Sequence, residues 1–181
     1  MEITYPLQTE RLLLRPLRED DFESHRQLFT NPVVVRYLYE GQMDNEALRE
    51  HFEKRLTLGL PAPGEWRNLA VEKDGQFIGE VGIGLDSDIH RNVEVGYVFE
   101  PRCSGQGFAT EAVERLLPLG FNELGAHRIV ARLDARNTAS ARLAQKLGMR
   151  LEAHFRENEF VKEEWTDEQV YAILKSEWLA R

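Results

Sequence analysis

The stretch that most constrains the fold runs from Val93 to Phe121. Val93, Val95, Tyr97, Val98 and Phe99 are β-formers and predict a strand. Gly96 within it marks either a bulge or a point where another group comes close. Pro101 ends the strand. Ala109, Ala112, Val113, Leu116, Leu117, Gly120 and Phe121 then recur at helical spacing, predicting a buried helical stripe that Pro118 should kink or shorten. Strand and helix are joined by Arg102-Cys103-Ser104-Gly105-Gln106-Gly107.

This arrangement has chemical consequences. The first turn of a helix leaves backbone N–H groups without partners and adds about half a positive charge there. Gly105 and Gly107 carry no Cβ, so an anion can approach those amides. A diphosphate is the expected guest. A Walker loop is excluded, because no Gly-Lys pair exists in the chain. A Rossmann fingerprint fails where its third glycine or alanine falls on Thr110. The pattern that fits is Arg102-x-x-Gly105-x-Gly107.

The rest of the chain surrounds this unit. Gln8 to Leu17 predicts a short strand closed by Pro16, and Glu19-Asp20-Asp21 opens a helix bearing Phe22, Leu28 and Phe29. Asn31-Pro32 starts a short helix with Val35 and Leu38; Asp44 caps another through Phe52 to Gly59. Trp66 to Lys73 and Gln76 to Leu85 form a hairpin about Asp74-Gly75, a type I′ signal. His127 to Leu133 is a further strand, parallel to the first because a helix separates them. Asn137 to Leu147 is a helix stopped by Gly148, followed by strands near Arg150 to Phe155 and Gln169 to Lys175 and a tail from Ser176. The order implies one α+β domain over residues 1–181 with a mixed sheet.

At 181 residues the chain can bury about 70% of its unfolded surface. A net charge of -8 argues against a nucleic-acid surface and suits a cationic partner. Cys103 is the only cysteine, so no internal disulfide forms, consistent with a reducing compartment. No apolar run could span a bilayer and the N-terminus lacks a signal peptide's apolar core, so a cytoplasmic location is expected.

The loop Arg102-x-x-Gly105-x-Gly107 resembles the acetyl-CoA pyrophosphate motif of the GNAT superfamily of N-acetyltransferases. Two further features are similar to that superfamily: Asn137-x-x-Ser140 after a strand, and a helix ending in Leu147-Gly148-Met149, with Met149 in place of an aromatic. Thr9-Glu10-Arg11 through Arg15 resembles the opening of its ribosomal-protein-alanine branch, as do Leu151-Glu152-Ala153, Asn158-Glu159-Phe160, Trp165-x-Asp167 and Glu177-Trp178 near the end. Ala153 stands where that branch usually has glycine. The resemblance spans nearly the whole chain. It implies a mostly antiparallel sheet of about seven strands, flanked by helices, whose splayed parallel pair forms the coenzyme A cleft.

The resemblance also implies roles. Acetyl-CoA, needing no metal, would lie with its diphosphate on the amides of Ser104, Gly105, Gln106, Gly107, Phe108 and Ala109, beside Arg102. Its pantetheine arm would follow Val98 and Phe99 and bond Asn137, with Arg142 and Lys146 near the adenosine phosphates or on a solvated helix face. Acetyl would pass directly to a primary amine, with Glu159 as base and Ser140 as proton donor to the leaving thiolate. The expected acceptor is the α-amino group of a protein or peptide N-terminus. A small amine (an amino acid, polyamine or aminoglycoside) is the alternative, and a non-catalytic acyl-CoA module a different class. A homodimer is plausible by family. Bland readings stand beside these: Ser140 as a helix cap, Glu159 as one surface acid among Glu157, Glu163 and Glu164, and Cys103 as a small loop residue. Trp66 and Trp165 read as core or cleft walls, and His25, His51, His90, His127 and His154 lack metal-site spacing.

Overall fold

The computed structural model describes residues 3–41, 43–87 and 89–181. Eight strands form one sheet: β1 (Leu7–Gln8), β2 (Leu13–Pro16), β3 (Trp66–Lys73), β4 (Gln76–Leu85), β5 (Asn92–Phe99), β6 (Arg128–Asp134), β7 (Arg150–Val161) and β8 (Glu164–Leu174). Their order is β1-β2-β3-β4-β5-β6-β8-β7. Every neighbouring pair is antiparallel except β5 and β6. The eighth strand, absent from the sequence reading, is the two-residue β1.

The helices are α1 (Phe22–Thr30), α2 (Pro32–Val35), α3 (Asn45–Glu53), α4 (Phe108–Pro118), α5 (Thr138–Lys146) and α6 (Lys175–Leu179). The caps fall where the side chains dictate. Asn31 accepts from the Val33 amide, Asp44 from Ala47 and Asn137 from Ser140. Pro118 has no N–H for the helical ladder, so α4 gives way to a π turn over Leu119–Glu123, closed by Leu124 N–H on the Leu119 carbonyl at 3.1 Å. Four expectations need correction. Helix α3 stops at Glu53, not Gly59, and the expected tail is α6. The last two strands are longer than expected, because Lys162 and Glu163 turn at positive φ and carry the acidic segment into a hairpin. Helix α2 ends at Val35, so Leu38 lies beyond it. Of the two readings of Gly96 the close approach holds, since β4 and β5 pair without a register shift and a Cβ there would fall 3.4 Å from the Trp66 ring.

Alternation along the central strands sorts their side chains by face. Val81, Ile83, Val93, Val95, Ile129 and Leu133 turn to one side, where Ala112, Val113, Leu116, Leu117 and Phe121 complete the main core. The other face, toward α1 and α3, is different. Cross-strand register puts Trp66, Gly84 and Glu94 in one row. Asn68, Gly82 and Gly96 form the next, and Ala70, Glu80 and Val98 the third. Glycines and polar groups replace aliphatics there, which leaves room above the sheet.

The parallel pairing is short. It runs from Asn92↔Arg128 to Glu94↔Val130 and stops. From Val95 to Phe99 strand β5 keeps only β4 as a neighbour, so a cleft opens between β5 and β6 at their carboxyl ends.

Candidate active site

Two features meet at this cleft. The first is the glycine loop. Gly105 and Gly107 have φ of 75° and 82°, a left-handed backbone that side chains disfavour. Gly107 is the N-cap of α4 and no side chain caps it, so the first-turn N–H groups are left for an anion. The loop is braced from β2's approach: Arg11 Nη1 donates to the Gln106 carbonyl at 3.1 Å, while Glu111 accepts from Thr9 Oγ1 (2.6 Å) and Arg11 N–H (2.8 Å). This gives Thr9-Glu10-Arg11 a physical role that motif matching could not supply. Arg102 is paired with Glu100, and Gln106 Nε2 donates to the Arg102 carbonyl at 2.7 Å. Lys146 lines the same surface groove as Gly107; Arg142 is exposed one turn earlier on α5. The loop therefore offers uncapped first-turn N–H groups beside two left-handed glycines, a place that an anion can approach closely. Cys103 is buried, and burial pushes its thiol above its ordinary pKa.

The second feature is a cavity of about 350 Å³. Its floor is the polar sheet face, with Asn68, Glu80, Gly82, Glu94, Gly96 and Arg132. Its roof is Phe29, the Tyr37–Glu40 segment and Arg55, and Trp66 stands at one side. Lys162, at the tip of the β7–β8 hairpin, holds that roof by donating to the carbonyls of Val35 (2.5 Å) and Leu38 (2.7 Å).

Asn137 and Ser140 line this cavity as well. Asn137 is the cap of α5, its Oδ1 accepting from the Ser140 amide at 3.1 Å. Capping is thus the work of Asn137, and the Ser140 side chain is left for the cavity. The Tyr97 hydroxyl donates to the Ser140 carbonyl at 3.4 Å, and burial pushes its phenol up to about 12. Val98 and Phe99 follow Tyr97 on the strand that has lost its β6 neighbour.

The carboxylates divide into two groups. Glu94 lines the cavity, and burial raises its pKa against the lowering effect of Arg132, whose Nε lies 3.5 Å away. Behind it Glu168, buried, accepts from Tyr39 Oη at 3.1 Å and from Asn158 Nδ2 at 3.1 Å. Glu159 is half-buried on β7; it accepts from the same Asn158 amide at 3.2 Å and is not among the residues lining the cavity. Glu80 forms the second group. Its Oε1 lies 2.5 Å from His25 Nδ1, and His25 Nε2 lies 3.0 Å from His51 Nδ1.

Glu80, His25, His51, Arg55 and Tyr97 were not singled out from the sequence as site residues. One signal was available for Glu80: it falls in phase with Gly82 and Gly84, opposite Val81, Ile83 and Leu85, a charge within a strand that otherwise reads as buried.

An acetyltransferase (GNAT) domain model matches residues 11–150. The chain belongs to the GNAT acetyltransferase family. It is 32% identical to the uncharacterized N-acetyltransferase YnaD of Bacillus subtilis (strain 168) over 170 residues, covering 94% of this chain and 97% of that protein. A spermidine N-acetyltransferase from Vibrio cholerae, solved with CoA and spermine, superposes with a TM-score of 0.81 at 26% identity, covering 94% and 99% of the two chains. A ribosomal L7/L12 α-N-protein acetyltransferase bound to coenzyme A shares the fold, with a TM-score of 0.79 at 19% identity over 92% and 95%. This GNAT chain is accordingly an acyltransferase, and its family uses acetyl-CoA.

Proposed function

We propose that this acetyltransferase acts on an α-amino group, carried by a peptide N-terminus or an amino-acid derivative, which enters the cavity and is acetylated beside Gly96. What supports the reading is the place of Glu94, half-buried in the cavity lining two residues before Gly96 and 3.5 Å from Arg132 Nε, where partial burial raises its pKa. A carboxylate so tuned accepts a proton near neutral pH more readily than an ordinary glutamate does. The amine must arrive neutral. At pH 7 that requires about 1 kcal/mol for an α-amine and about 4.6 kcal/mol for a lysine-like amine, which favours the first.

Acetyl-CoA, when bound, supplies the thioester carbonyl that the amine attacks. The loop amides from Ser104 to Ala109 would hold its diphosphate, the free edge of β5 at Val98 and Phe99 its pantetheine arm, and backbone N–H groups near Gly96 would polarise the carbonyl. Arg102, Asn137 and Arg142 are proposed to assist. Glu94 and Glu159 are the two carboxylates proposed for the base. Ser140, with the neutral Tyr97 phenol near its carbonyl, is proposed to return a proton to the thiolate.

A second reading is a small polycationic amine. Three carboxylates, Glu40, Glu80 and Glu94, line the cavity against two guanidinium groups, Arg55 and Arg132, and the whole chain carries -8. The test is CoA release with a panel of N-terminal peptides, amino-acid amides, diamines and polyamines. Turnover of peptides and amides above that of the polyamines supports the α-amine reading, and the reverse order replaces it. Tight CoA binding with no turnover of any amine would point to an acyl-CoA-binding module.

A further inference from the structure

Buried polar side chains almost always find a hydrogen-bond partner, so the exceptions call for an explanation. Three such atoms occur close together where the floor of the cavity meets its roof: Glu80 Oε2, Arg55 Nε and, behind the lining, His51 Nε2. The Glu80 side chain is 4% exposed and the Arg55 side chain 19%, and both residues line the cavity. They face each other with Nε and Oε2 3.6 Å apart, an ion pair too long to be a hydrogen bond.

The surroundings fix these groups. Oε1 of Glu80 is taken by His25, whose other nitrogen is taken by His51, so the carboxylate cannot turn to satisfy both oxygens at once. His25 is fully buried and packs on Phe29 and Phe52. Arg55 lies over the Phe29 ring at 5.3 Å, and its Nη2 comes only within 3.9 Å of Glu40. His51 Nε2 faces Glu40 at 3.8 Å behind the lining, so one acceptor and one donor, screened from solvent and side by side, remain without a hydrogen bond on two residues that line the cavity.

Charge selects what could meet them. An ammonium would be repelled by Arg55, and a carboxylate by Glu80 and Glu40. A neutral group that both donates and accepts satisfies the two at once. We propose that Glu80 Oε2 and Arg55 Nε form a second polar subsite of this cavity, one that takes a carboxamide or hydroxyl on the same molecule as the reacting amine. His25 and His51 are its positioning residues. The inference rests on the reading of the cavity as the acceptor site. Glu80 sits one row along from the Gly82–Gly96 pair, two residues or about 7 Å along the strand, so a spacer of about four bonds joins amine and polar group. A peptide N-terminus carries such amides.

The test uses three probes with six-atom chains: 4-aminobutanamide, n-pentylamine and 1,4-diaminobutane. Their binding to the CoA-loaded protein is measured by calorimetry, which requires no turnover. The amide should bind at least about tenfold more tightly than either amine. Arg55→Met and Glu80→Gln, checked for folding by circular dichroism, should each bring the amide within about twofold of n-pentylamine. Tightest binding of the diamine would make this a cation subsite and overturn the proposal. Equal binding of all three, or no binding of the amide, would assign the two atoms to water and overturn it too. Turnover with acetyl-CoA separates the two readings. For this the α-amines of the peptide and amide panel are used. Their acetylation together with equal binding of the three probes leaves the acceptor assignment standing without the subsite. Amide-selective binding with no α-amine acetylated keeps the subsite and removes the acceptor assignment.

Discussion

The indole of Trp66 lies so close to Gly84 that a Cβ on that glycine would fall 2.6 Å from ring atom Cε2. Gly82 and Gly96 flank the same ring, with would-be Cβ atoms 3.2 and 3.4 Å from it. Three glycines on two strands therefore give one tryptophan its bed, and the tryptophan becomes a wall of the cavity proposed to take the acceptor. Trp66 is 41% exposed and can swing outward, so Gly84→Ala should cost only about 1 kcal/mol, at the low end for overpacking. The expected result is a red-shifted tryptophan emission and a raised acceptor KM, with the acetyl-CoA thermal shift unchanged. An unaltered KM would remove Trp66 from the acceptor site.

At the glycine loop the expectation is the opposite. Gly107 has φ of 82°, so Gly107→Val strains the backbone by about 1–2 kcal/mol and puts a branched side chain where the diphosphate should approach. The protein should remain folded with a lowered Tm, and the stabilisation by acetyl-CoA should vanish. A thermal shift equal to that of the unmodified protein would take the diphosphate away from this loop.

Residues that act through neighbouring sequence were legible before the structure. The strand ending at Phe99, the glycine loop ahead of a helix, the Asp74-Gly75 hairpin and the Asn31 and Asp44 caps all follow from local chemistry, whereas the α5 cap, read at Ser140, falls to Asn137. The residues that were missed act across the sheet. Glu80 matters because His25 on α1 and Arg55 after α3 converge on it, and no local spacing encodes that meeting. The length of β7 was missed for a different reason. Its charged residues read as a solvated loop, whereas an edge strand accommodates charge along its open side, and Glu157 at φ 47° opens a bulge that the Asp167 carboxylate braces.

The two carboxylates proposed for the base can be separated by pH. Glu94→Gln should lower kcat by about 10²–10⁴-fold if it takes the amine proton, and the loss should shrink as pH rises and more amine arrives neutral. Glu159→Gln should do this instead if that residue is the base. Stability gives an independent check on Glu94. Its pKa is raised in the folded chain, so the native state holds that proton more readily than the unfolded one. The stabilisation is present below the ordinary glutamate value of about 4.3 and is lost as pH climbs through the folded value. Glu94→Gln should therefore resist denaturant better than the unmodified chain at pH 7, with the advantage gone near pH 4. A variant no more stable at pH 7 would mean that Glu94 is not strained by burial.

Ser140 offers the sharpest separation between chemistry and architecture. Because Asn137 caps α5, removing the Ser140 hydroxyl leaves the cap in place, and stability should change by no more than about 0.5 kcal/mol. Asn137→Ala, by contrast, should cost about 1 kcal/mol through loss of the cap. If Ser140 donates the proton that the leaving thiolate needs, Ser140→Ala lowers kcat while Tm and acetyl-CoA affinity stay near their original values. Alkali should not rescue it, since raising the pH supplies neutral amine but no proton for the thiolate. The Tyr97 hydroxyl, which donates to the Ser140 carbonyl, provides the comparison. Tyr97→Phe removes a neutral phenol, and if the proton comes from the tyrosine, that variant falls furthest in kcat while Ser140→Ala turns over normally. A normal kcat in both would leave water as the donor.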